Sequence, residues 1–306
     1  MLFDSSNICP VCQTNGIFWC ETLDWEYRTT DKSFTYMKCP SCMTLFIRQV
    51  PQGHLSAIYP PGKYYSFSNT AEKLLFRLKD RLDSWFYKSI LKKIEHPTLS
   101  VLDIGGGTGG TLDVLKKADK RISYTEIVDI DEGAASAAKA KGYSYSVSTI
   151  EQWTTQKQFD VILLLNLVEH LANPLSVLQK AGEMLLPGGK IIVKTPNMDS
   201  LDAKLFKNHY WGGLHCPRHW VIFSDHSFRQ MVRRTDLTIE KMMFTQGAPF
   251  WTYSVLQLFG KKNIHLERKP LIEHPLFAPL CIFFSALDIT RSLFSKTSQM
   301  FVVLSK

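Results

Sequence analysis

No run in this chain is apolar for long enough to cross a bilayer. The most apolar stretch, "LFAPLCIFFSAL" at 276–287, falls short of the roughly 20 residues that a spanning helix needs. A transmembrane helix is therefore not expected, and the stretch is left with core packing, pocket lining or peripheral membrane contact. The opening "MLFDSSNICPVC" has no basic segment followed by a long apolar run, so no secretory leader is expected. No internal repeat or low-complexity tract is present, which excludes solenoids and repeat arrays. An even set of cysteines for a disulfide framework is missing too: there are 7, four of them in C-x-x-C pairs. That usage points to a reducing, cytoplasmic setting and to metal binding.

The 306 residues are 45% hydrophobic and 21% charged, enough for one large domain and a small one. A net charge of +8 favours acidic partners such as phosphates, nucleic acid or an anionic membrane. It fits equally a basic cytoplasmic protein with none of these.

Three segments differ in character. Residues 1–50 hold the cysteine pairs and many aromatics. Residues 51–97 begin with the Pro-, Gly- and Tyr-rich "PQGHLSAIYPPGKYYSFSNT" and continue with helical apolar spacing over 71–94, which reads as a linker and helical lid. From 98 to 306, strand and helix signals alternate. "SVLDI" (100–104), "YTEIVDI" (124–130), "YSYSV" (143–147), "FDVILLLN" (159–166) and "GKIIVKT" (189–195) read as strands. "GTLDVLKKA", "EGAASAAKAKG" (132–142) and a segment opened by Asn173-Pro174 read as helices, as does "SFRQMVRRT" with Ser224 or Asp225 as its cap. "LTIEKMMF" (237–244) and "QMFVVLS" (299–305) form a candidate antiparallel pair flanking an apolar insertion, 247–298. The pattern is α/β with a parallel sheet.

"VLDIGGGTGG" (101–110) fits two nucleotide loops. Gly105, Gly107 and Gly110 match the dinucleotide spacing. Asp103 with Gly105, Gly107 and Gly109 matches the S-adenosylmethionine (SAM) spacing. A dinucleotide fold wants a second mononucleotide-binding half, and none is seen. SAM has no pyrophosphate, and its loop wants an acid where the cationic amino-acid part docks. Asp103 stands there. Asp129, with Asp131 as the alternative, is placed for the ribose hydroxyls.

Taken in order, "VLDIGGGTGG", "IVDIDEGAASAAKAKG", "FDVILLLNLVEHLANPL" and "LLPGGKIIVKTPN" resemble class I SAM-dependent methyltransferases over about residues 98–245. The likeness is greatest to small-molecule enzymes such as the ubiquinone-pathway O-methyltransferases. It implies a Rossmann-like seven-stranded sheet whose last strand is reversed, and adenine packing near Thr149 and Ile150. Thr149 stands where family members often carry an acid. The candidate cofactor contacts are Asp103, Gly105, Gly106, Gly107, Gly109, Asp129, Ile130, Thr149, Ile150 and Asn166.

"CPVC" (Cys9, Cys12) and "CPSC" (Cys39, Cys42) supply four thiolates in two pairs. That set suits a closed, structural tetrahedral Zn²⁺ site, with iron as the alternative. A fifty-residue segment has too small a core to fold easily alone, and a metal would add the missing stability. Gln13 and Met43 replace the glycine usual after each pair. Cys20, Cys216 and Cys281 read as packing residues. With the Tyr-rich linker, the segment resembles the zinc-ribbon-like domain that precedes the core in bacterial methyltransferases of sugars and related metabolites. Those acting on deoxysugar carbon carry a further C-terminal domain, not expected in a chain of this length.

The acceptor side should lie on loops at the carboxyl ends of the strands. "YWGGLHCPRHWVIFS" (210–224) is the main candidate. Its "RHWVIFS" resembles the E-H-x-x-x-F-S stretch of sugar C-methyltransferases, which implies His219 as a base, with Arg218 in place of the acid. Arg218, His215, Trp211 and Tyr64 are candidate substrate contacts, Arg218 for an anionic group. "NLVEH" (166–170) resembles the E-x-x-E-H metal motif of ubiquinone-type and small-RNA O-methyltransferases, with Asn166 in place of the first acid. It makes Glu169 and His170 candidates for a divalent ion completed by His215 or His219. His170 and Tyr65 are further catalytic candidates, and Tyr59, Tyr64 and Tyr65 a candidate lid. The expectation is methyl transfer from SAM to the oxygen or carbon of a sugar-like or other biosynthetic small molecule. The alternatives are an RNA methyltransferase that grips phosphates with its zinc module and a non-catalytic zinc-bearing interaction protein.

Overall fold

The computed structural model describes residues 4–5, 7–51, 55–59, 84–207, 210–262 and 271–306. The first strands are short: β1 (Asp4–Ser5), β2 (Ile17–Thr22), β3 (Phe34–Lys38), β4 (Leu45–Ile47) and β5 (Gln49–Val50). A one-turn helix α1 (Leu55–Ile58) follows, and residues 84–91 are helical (α2). The rest of the expected 71–94 helix lies outside the described residues.

The βα alternation then appears as the apolar pattern requires. β6 (Leu99–Ile104) leads to α3 (Gly110–Ala118), β7 (Ile122–Asp129) to α4 (Glu132–Ala140), and β8 (Ser144–Val147) to β9 (Phe159–Leu165). α5 (Pro174–Glu183) starts where proline sits at the first helical position and the Asn173 side chain accepts from Ser176 N. β10 (Leu185–Pro196) is longer than its apolar core because it takes in Pro187, Gly188 and Gly189 through a register shift before Lys190. α6 (Leu201–Leu205), β11 (Val221–Ile222), α7 (Asp225–Val232) and β12 (Thr238–Thr245) come next. Ser224, not Asp225, caps α7, through a capping box with Ser227. The apolar insertion is a helical pair, α8 (Ala248–Lys262) and α9 (Phe277–Arg291), before β13 (Gln299–Ser305).

The large sheet has the order β12-β13-β10-β9-β6-β7-β8. β13 runs antiparallel to both β10 and β12, and the other pairs are parallel. This is the seven-stranded Rossmann-like sheet with a reversed last strand that the resemblance implies. Successive residues of β9 serve opposite faces. Val161 and Leu163 join a core with α2, α3 and α4, while Ile162 and Leu164 join the core that continues into the N-terminal segment.

The small sheet has the order β11-β4-β3-β2. Its first strand, Val221–Ile222, comes from the chain beyond α6 and pairs with Phe46 and Leu45. The cysteine segment thus borrows a strand from the stretch expected to meet the acceptor.

Candidate active site

The strand order turns at β6, which lies between β7 and β9, so the crevice opens at the carboxyl ends of these strands. β6 runs directly into the glycine loop. Gly109 has φ 77°, and a side chain there would meet the Tyr143 ring at 2.6 Å. A Cβ on Gly106 would meet the Asp103 carboxylate at 2.6 Å. Asp103 is buried, and its Oδ2 has no hydrogen-bond partner among the described residues. Burial, and then the nearby Asp129, raise its pKa to about 7. Asp129, at the end of β7, accepts from Gly107 N at 2.8 Å and from Asp131 N at 2.9 Å. Asp131 itself caps α4, accepting from Gly133 N and Ala134 N. Asp129 is thus the acid that borders the loop.

Asn166 ends β9 in the left-handed region, φ 51°, with its backbone N–H on Lys194 O. Its side-chain Oδ1 accepts from Gln299 Nε2 at 3.3 Å. Ile130 is half exposed, and Ile150 is buried. Thr149 Oγ1 accepts from Gln152 N at 3.4 Å.

Just beyond, a 3₁₀ turn (Val168–His170) presents Glu169 and His170. Glu169 is fully buried. Its Oε2 accepts from Thr195 Oγ1 at 2.9 Å, and its Oε1 has no hydrogen-bond partner among the described residues. Burial raises its pKa to about 8. His219 Nε2 lies 3.9 Å from that Oε1. The His219 Nδ1–H donates to Gly213 O at 2.8 Å. The His170 Nδ1–H donates to Arg218 O at 3.0 Å, and the Tyr59 hydroxyl lies 2.8 Å from the same nitrogen. Each ring uses Nδ1 on a carbonyl and so carries its lone pair on Nε2. Burial holds both rings neutral. It lowers the His170 pKa to about 3, helped by His215, and pushes His219 well below the usual imidazole value, helped by His170 and His215. Potential ligand atoms of Glu169, His170 and His219 all lie within 4.8 Å of one another.

The N-terminal segment frames this cluster. Asp24 takes both terminal nitrogens of Arg218, at 3.1 and 3.0 Å, and Arg218 Nε donates to Ile58 O at 2.8 Å. Glu26 accepts from the Tyr210 hydroxyl at 2.6 Å and meets His215 Nδ1 at 2.5 Å. The Tyr36 hydroxyl donates to Leu214 O or His219 O, at 3.1 and 2.8 Å.

Two expected substrate contacts are corrected by this arrangement. Arg218 is fully buried, and its guanidinium is used on Asp24 and Ile58 with the Tyr27 ring beneath it. It is not open to an anionic group. Trp211 is also buried, and its Nε1 donates to Asp202 Oδ2 at 2.8 Å. It packs in the core. Tyr64 and Tyr65 lie outside the described residues. Thr195, Asp24, Glu26 and Tyr36 escape a reading of the sequence. The acids of "ETLDWEYR", set among aromatics, are the one local hint.

The four cysteine Sγ atoms form a second cluster, within 4.8 Å of one another. Cys9 and Cys42 are 3.6 Å apart, and Cys12 and Cys39 are 3.3 Å apart. The two knuckles repeat one design. Gln13 N and Met43 N bond back to Cys9 O and Cys39 O, and both residues are left-handed, with φ 64° and 66°. These are the positions where glycine was missing. The backbone takes glycine's conformation without it.

A methyltransferase-domain family model matches residues 69–242, more than half of the chain. The chain belongs to the methyltransferase-domain family. Similar curated proteins include a ubiquinone biosynthesis O-methyltransferase of Bradyrhizobium sp. (strain ORS 278), 28% identical over 148 residues. That match covers 46% of this chain and 55% of the relative. A second, from Caulobacter sp. (strain K31), is 32% identical over 45% of this chain and 56% of the relative. The chain thus spans a little over half the length of these relatives. Among solved structures, the plantazolicin methyltransferase BpumL in complex with SAH aligns with a TM-score of 0.51 at 16% identity, covering 81% of this chain and 92% of that one. Coclaurine N-methyltransferase aligns at 0.50 with 16% identity, over 79% and 76%. At that identity they speak for the fold of this methyltransferase domain.

Proposed function

We propose that this chain transfers a methyl group from SAM to a small biosynthetic acceptor, at oxygen or carbon. The observation that carries the reading is the Asp103 carboxylate, buried and unbonded beneath the glycine loop. Such a group wants a cation, and the ammonium of the SAM amino-acid part supplies one. Asp129 would hold the ribose, with Ile130, Thr149 and Ile150 toward the adenine. The bound cofactor would bring an electrophilic sulfonium methyl to the crevice. The protein's work is then to align an acceptor about 3–3.5 Å from that methyl and to remove a proton. His219, neutral and with Nε2 unprotonated, is the base in this reading, and His170 lines the same pocket.

Calorimetric titration with S-adenosylhomocysteine, with NAD⁺ as control, tests the reading. We expect the first to bind and the second not to. Failure of the first would favour a non-catalytic interaction protein.

The orphaned Glu169 Oε1 supports a second component: a divalent cation held by Glu169, His170 and His219. Both histidines anchor Nδ1–H on a backbone carbonyl, the usual support for a metal-bound Nε2. His215, engaged with Glu26, is not part of this set. A cation here would polarise an acceptor hydroxyl. Loss of turnover on chelation, restored by Mg²⁺ or Mn²⁺, would assign the histidines as ligands. Turnover lost on chelation but restored by Zn²⁺ alone, without Mg²⁺ or Mn²⁺, while His219→Ala loses about 10²- to 10⁴-fold, would assign His219 as the base.

For the cysteine quartet we propose structural zinc. A tetrahedron with Zn–S near 2.3 Å has edges of about 3.8 Å, close to the spacing of the paired thiols. Hydrogen bonding from Cys9 already holds the Cys42 thiol below the usual range. In this reading residues 1–50 are a zinc-binding unit, 51–97 a linker and lid, and 98–306 the methyltransferase unit. Asp24, Glu26 and Tyr36 face the acceptor loop, which favours a bracing role over RNA binding.

A further inference from the structure

α9 buries Phe277 and Phe284 on one face and leaves its other face apolar as well. Asp288 is fully buried, where it accepts from Gly247 N and Trp251 Nε1 and pairs with Arg291. The opposite face, toward solvent, carries Ile282, Phe283 and Ile289, continued past the helix end by Leu293 and Phe294. Phe283 is 60% exposed, Phe294 75% and Leu293 84%. Between them lie Pro279, Ala286 and Thr290, also exposed. The Thr290 hydroxyl is bonded back to Ala286 O, and that of the adjoining Ser292 to Ile289 O. No charged residue stands on this face from 278 to 290. A surface helix normally puts its charges outward and its apolar stripe inward; here the polar pair is inward, and both hydroxyls are closed onto the backbone.

The patch has a basic margin. Leu201 and Lys204 of α6 line one surface pocket with Arg291, the last residue of α9, and with Asp199, Ser295 and Lys296. α6 adds the exposed Leu205, and Lys207 follows it, also exposed. Lys296 is paired with Asp225 and Asp199, so Lys204 and Lys207 give this margin its positive excess. The whole chain is at +8.

We propose that the outward face of α9, with the exposed leucines of α6, docks on an anionic lipid bilayer. The helix lies in the plane of the interface, with Phe283, Leu293 and Phe294 among the acyl chains and Lys204 and Lys207 at the headgroups. No described helix is long and apolar enough to cross a membrane, which fits this mode. A second copy is the less suited occupant: a twofold contact of this face with itself would gather the lysines of both copies around one interface.

The test is co-sedimentation of the full chain with vesicles of phosphatidylcholine alone and of a phosphatidylcholine–phosphatidylglycerol mixture. A Phe283→Ser/Phe294→Ser variant and a Lys204→Gln/Lys207→Gln variant are run alongside, each checked for S-adenosylhomocysteine binding. We expect binding to the anionic vesicles, weakened by salt. The phenylalanine variant should lose about tenfold or more in affinity and the lysine variant a smaller factor, with nucleotide binding unchanged in both. Three results overturn the proposal: no binding of the parent chain to anionic vesicles at low salt, binding unaltered by the phenylalanine variant, or a concentration-dependent dimer in sedimentation that the same variant abolishes.

Discussion

Asp103 lies beneath the glycine loop with one oxygen unbonded and a pKa raised to about 7. A carboxyl raised by folding is tolerated best when protonated, so its contribution to stability is full below the ordinary value of 3.8 and is lost as pH rises through about 7. A docked ammonium reverses that preference, because it needs the carboxylate. S-adenosylhomocysteine affinity should therefore climb with pH by at most about tenfold per unit and level off above about 7. Calorimetry across this range should show a proton released on binding on the acid side. Asp103→Asn should flatten the profile and weaken binding by about one to two orders of magnitude. Asp103, the glycines and Asp129 were legible because the turn and the acid after the next strand lie within a short, contiguous stretch. Arg218 was misread because its partner, Asp24, is 194 residues away, and no local pattern reports such a pairing.

The loop that brings His215 and His219 is held by the Asp24, Glu26 and Tyr36 side chains of the cysteine segment, and the 3₁₀ turn at Val168–His170 is tied in turn to that loop through Arg218 O and Trp220 N. Asp24→Asn would leave a buried guanidinium without its counter-charge. The expected loss is about 3–5 kcal/mol in denaturant unfolding, with Asp24→Asn/Arg218→Met recovering part of it. The knuckles make a prediction of opposite sign. Gln13 and Met43 are left-handed, a conformation that costs a residue with a Cβ about 1–2 kcal/mol. Gln13→Gly and Met43→Gly should each raise the melting temperature, by a gain smaller than that figure because glycine also loosens the unfolded chain. Elements with a local signal were legible from their residues: β9 as an almost wholly apolar run, α5 from Asn173-Pro174, β13 to its observed ends. The two-residue β11 and the turn at Val168–His170 have no period to read. Their position comes from what they pack against.

The two sheets share one continuous core, from the cysteines through β9 to β13, so damage at one end should reach the other selectively. Chelation that empties the quartet should lower acceptor turnover by at least about tenfold while leaving S-adenosylhomocysteine affinity within about twofold, since the metal contributes to folding of its own segment and the glycine loop rests on β6 and β7. Paired assays of turnover and nucleotide binding, with metal content followed colorimetrically, check this. The pairing of β11 with β4 was not legible, because it joins stretches separated by most of the chain. That pairing also orders events during synthesis. The ribosome delivers β2, β3 and β4 long before Val221 and Ile222, and until then the β4 edge has no partner. All four quartet cysteines, by contrast, emerge within the first 42 residues. In the zinc reading, metal capture and the pairing of β2, β3 and β4 are both open to the nascent segment, and the late arrival of β11 completes the small sheet.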